Sequence, residues 1–136
     1  MATLALNIIH HRPLWKLKTP IALAIAPLIN DEGIVKAREK YRELKKDHNE
    51  AYNFDESSLI TLGYSYYYVG DLQKAIDVLC LNAEVYPKSV WNLKTLGEVY
   101  SLAGAKEKAA ATFQKALDLD PGCEPCKLGL KNIAKH

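Results

Sequence analysis

Residues of this chain recur at a fixed interval. Leu59, Leu62, Gly63, Tyr66, Gly70, Ala75 and Pro87 return as Leu93, Leu96, Gly97, Tyr100, Gly104, Ala109 and Pro121, each pair 34 positions apart. Thr61/Thr95 and Lys74/Lys108 keep the same interval. A period of this length marks an array of like units, none of which buries its apolar face alone. Arrays of this kind present extended binding surfaces and mostly hold other proteins rather than perform chemistry.

Residues 56–89 and 90–123 are taken as the two units. In the first, Leu59, Leu62, Gly63 and Tyr66 fall at i, i+3, i+4 and i+7, one stripe of a helix. Gly70-Asp71 breaks that helix and allows a tight turn. Ala75, Leu79 and Ala83 form the facing stripe of a second helix, which Pro87 ends. The second unit repeats the scheme with Leu93, Leu96, Gly97 and Tyr100, then Gly104, then Ala109, Phe113, Ala116 and Leu117, then Pro121. Gly63 and Ala75 are expected where the two helices cross most closely, with Tyr66 and Leu79 filling the wider space beside them. A glycine inside a helix costs about 1 kcal/mol relative to alanine, so its presence at both Gly63 and Gly97 argues for a packing role. The expected repeat core is Leu62, Gly63, Tyr66 and Ala75 in one unit, and Leu96, Gly97, Tyr100, Ala109 and Phe113 in the other.

The remaining segments fit the same scheme. Glu32 to Leu44 reads as a helix with Ile34, Ala37, Tyr41 and Leu44 on one stripe. Ala37 precedes Ala75 by 38 residues, which an insertion around Asn49–Asp55 explains; Asp55 is then a natural N-cap for the next helix. Thr19 is expected to cap a short helix starting at Pro20, and Pro27 to kink or shorten it. Residues 19–55 thus read as a degenerate helical pair. Residues 124–136 read as a C-terminal capping helix, with Leu128, Leu130 and Ile133 set between lysines. Residues 1–18, basic and without an acidic residue, are left as an N-terminal junction, an extra turn or strand, or disorder.

The spacing Leu59-x-x-Leu62-Gly63-x-x-Tyr66, then Gly70, Ala75, Leu79 and Pro87, resembles a tetratricopeptide repeat. The second unit follows the family pattern more closely, with Phe113 and Ala116 at its aromatic and small positions. The first departs from it, with Leu79 for the aromatic and Asn82 for the small residue, beside Ala83. The resemblance implies an all-α, right-handed superhelix of antiparallel helix pairs whose first helices line a concave groove. Carried onto this sequence, the groove positions are Ser57, Ile60, Tyr64, Tyr67 and Tyr68 in the first unit. In the second they are Trp91, Lys94, Glu98, Ser101 and Leu102, with Leu128 and Asn132 added by the terminal helix. Only Tyr66 of the four clustered tyrosines lies on the core stripe. The other three either offer aromatic area to a partner or pack against the N-terminal segment. Some groove proteins of the family clamp a terminal carboxylate with lysine, asparagine and arginine. Here the matching places hold Ile60, Tyr64 and Glu98, with only Lys94 in agreement, which disfavours such a clamp.

Over roughly residues 20–122 a further likeness is carried by several stretches. These are Tyr52-x-Phe54-x-Glu56-x-x-Leu59, Leu62-Gly63-Tyr64, Leu81-Asn82-x-Glu84-x-Tyr86-Pro87-x-Ser89 and Leu96-Gly97-Glu98-Val99-Tyr100. They resemble the tetratricopeptide regions appended to the C-terminus of bacterial β-lactamase-like serine hydrolases. That likeness implies a non-catalytic accessory or oligomerisation region, and leaves open whether a catalytic domain is encoded upstream.

Chemistry within the chain itself is not expected. Cys123-Glu-Pro-Cys126 lacks the βαβ setting of a redox motif and the further ligands of a zinc site. It reads as a loop cysteine and a helix cysteine, with a redox-sensing adaptor as the alternative. His10-His11 and His48 read as solvated residues, so no metal, cofactor or catalytic residue is assigned and the chain is not read as an enzyme. A net charge of +2, with lysines alternating with acids, lacks the basic stripe that nucleic acid requires. The apolar run Ile21–Ile29 is too short to span a membrane, and a helix in the fold is favoured over a signal segment. The expected partner is a protein or peptide, with self-association left open. The cytoplasm is favoured, with periplasm and secretion also open.

Overall fold

The computed structural model describes residues 17–135. The expectations for His10-His11, for His136 and for most of the 1–18 segment lie outside the described residues. Seven helices follow in order: α1 Ile21–Glu32, α2 Ile34–Asp47, α3 Glu56–Tyr68, α4 Leu72–Val85, α5 Val90–Leu102, α6 Lys106–Leu119 and α7 Glu124–Lys135. Each packs chiefly on its neighbours in the chain, with α1 on α2, α3 on α4, α5 on α6, α6 on α7, and α4 on α5 joining the units. The architecture is therefore an all-α stack of helical hairpins.

The two clear hairpins turn in the same way because their glycines take the same backbone state. Gly70 has φ 84° and Gly104 φ 80°, a left-handed conformation that side chains disfavour. At the first turn Gly70 N donates to Tyr67 O at 3.0 Å and Asp71 N to Tyr66 O at 2.9 Å. At the second, Gly104 N donates to Ser101 O at 3.1 Å and Ala105 N to Tyr100 O at 2.9 Å. The helix after the first turn is capped by Asp71, whose carboxylate accepts from Lys74 N at 3.1 Å. That bond to the backbone, followed by the Lys74 ammonium, holds the Asp71 carboxyl below its ordinary pKa. Ala105 stands in the equivalent place and offers no side-chain cap. Identity at the 34-residue interval also carries a contact. The Lys74 ammonium sits 5.9 Å from the Tyr66 ring centroid, and Lys108 repeats this over Tyr100 at 5.9 Å.

The core divides along the stack. One part gathers Ile21, Ile25, Ile29, Ala37, Tyr41, Leu59, Ile60, Val78, Leu79 and Leu81 from α1 to α4, together with Leu96 and Val99. The other holds Leu93, Ala109, Phe113, Ala116, Cys123 and Cys126. Gly63, Tyr66, Ala75, Leu96, Gly97, Ala109 and Phe113 are buried. Leu62 and Tyr100 are only half-buried, because Leu62 turns toward a depression beside α1 and Tyr100 bridges the two parts of the core. The close approach at Gly63 is also not the backbone crossing with Ala75 that its small size suggested. A Cβ there would first meet the Leu79 side chain at 2.8 Å. The glycine is a socket for leucine.

Three local expectations are corrected. Thr19 does not cap α1: Thr19–Pro20 is a short strand β1, paired in parallel with β2, Tyr52–Asn53. The inserted segment therefore ties the chain entry to the α2–α3 connection. The start of α1 is served instead by Ser58 of α3, whose hydroxyl accepts from Ala22 N at 3.2 Å. Pro27 does not shorten α1, which runs on to Glu32. Asp55 stands at the N-cap of α3 but makes no side-chain cap bond; its own N–H is taken by Asn53 Oδ1 at 2.9 Å.

Asn82 is buried, and not the adjacent Ala83. Its amide donates to Glu56 O and to Asn92 Oδ1, both at 3.0 Å. The Asn92 amide in turn donates to Leu79 O at 3.0 Å. This polar pair locks α3, α4 and α5 together where an ordinary small residue would leave only contact. Outside it, Glu84 of α4 joins α2 through Arg38 at 3.1 Å and Arg42 at 3.5 Å.

Candidate functional site

The first helices of the two clear hairpins, α3 and α5, stand beside the terminal helix α7, and together they wall a cavity of about 420 Å³. From α3 come Tyr64, Tyr67 and Tyr68. From α5 come Thr95, Glu98, Ser101 and Leu102, and from α7 Gly129 and Asn132. Phe113 of α6 and Val99 close the floor. The helical period explains the spacing on α3 and α5: residues three and four apart share a face.

The tyrosines are ordered by their neighbours. Thr95 donates its hydroxyl proton to Trp91 O at 2.9 Å, so Tyr64, 3.2 Å from Thr95 Oγ1, is the donor in that pair. Tyr64 and Tyr68 stack at 6.2 Å between centroids with 26° between planes, and Tyr67 meets Tyr68 edge-on at 5.1 Å. Tyr68 is 78% exposed and Leu102 57%, which leaves an apolar rim open to solvent. Glu98 is paired to Lys94 at 3.6 Å along α5. Tyr66 turns the other way and donates to Asn30 Oδ1 of α1 at 2.9 Å. Burial, and then the nearby Asp71 carboxylate, raise its pKa.

The structure thus gathers Tyr64, Tyr67, Tyr68, Glu98, Ser101, Leu102 and Asn132 around one cavity. It does not bring the other sequence candidates there. Ile60 is fully buried in the core cluster built by α1 to α4 with Leu96 and Val99, and does not line the cavity. Ser57 lies on a separate depression of about 440 Å³ with Pro20, Leu23, Thr61 and Leu62. Trp91 flanks a third, of about 480 Å³, beside the α4–α5 connection. Lys94 reaches Glu98 without lining the cavity, and Leu128 points outward, 58% exposed.

Three lining residues, Thr95, Val99 and Gly129, escaped the sequence reading. Gly129 falls 32 residues after Gly97, off the 34-residue register, so the period does not mark it. Thr95 was noted as a repeated identity without a role, and only the fold shows its hydroxyl relaying between α3 and the Trp91 carbonyl. Cys123 and Cys126 form a disulfide at the start of α7, in place of the separate loop and helix thiols expected. Both sulfurs are in buried residues, and the bond ties the helix that carries Gly129 and Asn132 to the chain leaving α6. Among the described residues no group of three potential metal ligands gathers, and no helix is long and apolar enough to cross a membrane.

The sequence profile of the tetratricopeptide repeat matches residues 95–123. No curated protein sequence matches the chain. Among solved structures, the chain is similar to the first tetratricopeptide domain of Spaghetti (RPAP3) bound to the HSP90 peptide SRMEEVD. That match has a TM-score of 0.59 at 12% identity, covering 85% of this chain and 88% of the other. It is likewise similar to the second tetratricopeptide domain of human RPAP3 in complex with the HSP70 peptide SGPTIEEVD. There the TM-score is 0.60 at 15% identity, covering 85% and 93%. At these identities the likeness is one of fold. The stacked hairpins and the matched profile together make this an all-α array of tetratricopeptide type, with a tetratricopeptide repeat over residues 95–123.

Proposed function

We propose that the chain is a peptide- or protein-binding scaffold whose ligand lies across α3, α5 and α7. The observation that carries this reading is the cavity walled by those three helices, with an aromatic and aliphatic lining and an exposed Tyr68–Leu102 rim. Rings with hydroxyls give large contact area for little lost side-chain freedom. Helices fixed by the Asn82–Asn92 pair and the Tyr64–Thr95 bond present that area already ordered, which lowers the entropy of binding. The similar solved structures hold peptides, which supports a peptide as ligand.

Panning a random peptide display library against the chain tests the reading. Selected peptides are expected to bind the parent and to be lost from a Tyr68→Ala/Leu102→Ala variant, whose melting temperature stays close to the parent because both side chains are exposed. Equal recovery on the variant sinks the assignment of this face.

A further inference from the structure

We propose that the cavity seats a cationic side chain, an arginine or lysine of the partner peptide, and not a carboxylate. The inference rests on the peptide-binding reading and names the chemistry of its ligand. Three tyrosine rings and one carboxylate converge there. The face of an aromatic ring is electronegative and attracts a cation held within about 6 Å. Tyr64 and Tyr68 present nearly parallel rings and Tyr67 closes the corner at 75° to Tyr68. Glu98 is the one charged residue in the cavity lining.

Its partner Lys94 approaches from outside that lining at 3.6 Å, with Glu98 42% exposed. A solvated i,i+4 pair of this sort is weak, so an incoming guanidinium can take over the carboxylate while its flat face rests on the rings. A carboxylate in the same place meets the like charge of Glu98, with only neutral hydroxyls and the Asn132 amide to receive it. The peptides held by the similar solved structures, SRMEEVD and SGPTIEEVD, end in acidic residues, and the cavity lining here supplies no cation to meet such a charge.

The test uses the full chain and four sets of short, end-blocked peptides with random neutral flanks and a fixed central residue: arginine, glutamine, leucine or glutamate. Binding is read by fluorescence anisotropy at low salt. The arginine set is expected to bind about tenfold more tightly than the glutamine set, the size of a cation–π contact with a charge-assisted hydrogen bond. Glu98→Gln and Tyr68→Ala should each erase most of that preference, and Lys94→Met should enlarge it. Circular dichroism melts confirm that each variant is folded. Leucine or glutamine binding as well as arginine overturns the cation seat while leaving a peptide groove standing. Preference for glutamate overturns it in favour of an anion seat. No binding by any set overturns both readings.

Discussion

Gly129 and the Phe113 ring are in such close contact that a Cβ on the glycine would stand 2.5 Å from Cε2 and Cζ. A Cβ on Gly97 would lie 2.7 Å from Cε1 of the same ring. The ring is thus pinned by glycines of two helices, α5 and α7, in a close-packed interior. At Gly63 the obstacle is a single leucine side chain, approached from one side.

Gly97→Ala and Gly129→Ala are therefore expected to destabilise the fold by about 1–3 kcal/mol, after gaining back up to about 1 kcal/mol of helix propensity. Gly63→Ala should cost less, because Leu79 can change rotamer. Urea unfolding of the three variants ranks them, and a Gly63 variant weaker than both others would refute the pinning argument.

The Asn82–Asn92 pair should behave as one unit. Asn82→Ala leaves Glu56 O and Asn92 Oδ1 without their donor, at a cost of about 1–3 kcal/mol. The double variant Asn82→Ala/Asn92→Ala is expected to lose less than the sum of the two single changes. Additive losses in a double-mutant cycle would show that the two amides act separately.

Alkaline pH should loosen the N-terminal hairpins. Burial, and then the neighbouring Tyr86, push the Tyr41 pKa from 10.0 to about 12. The neutral phenol is favoured in the folded state, so its contribution is complete below pH 10 and is lost as pH rises through 12. Tyr100 moves in the same direction, to about 12, through burial and its hydrogen bond with Cys80. The buried Tyr41 hydroxyl has no partner among the described residues. Tyr41→Phe is therefore expected to stay within about 1 kcal/mol of the parent at pH 7 and to flatten the loss of stability between pH 10 and 12. An unchanged alkaline profile would exclude Tyr41 as a source.

Breaking the Cys123–Cys126 bond should act locally. Its loop is short, so the entropic contribution is about 2 kcal/mol. A reductant is expected to speed amide exchange in α7 while leaving α3 and α4 protected. Uniform acceleration along the chain would mean that the bond supports the whole stack.

The interval between Gly63 and Gly97, and between Gly70 and Gly104, was enough to place two hairpins, because each glycine answers a steric demand that recurs with the backbone. Where a position serves a contact peculiar to one end, the period is silent. Gly129 answers a ring on the last hairpin, and Asn82 replaces a small residue with a hydrogen-bonded pair whose partner is ten residues away. The groove list suffered for the same reason. Helical spacing put Ile60 on the binding face, but the packing of neighbouring helices, which sequence spacing does not encode, covers it completely. The β1–β2 bridge rests on pairing between Thr19 and Tyr52, a long-range register that neither short segment announces.

The cavity draws its walls from two hairpins and the terminal helix, while α3 packs chiefly on α4 and α7 on α6. Its width is therefore set by the pitch of a spring rather than by any one rigid part. A ligand that grips Tyr68 and Asn132 together is a tie-rod across the coils, and pulling the two ends of the chain apart must loosen its hold.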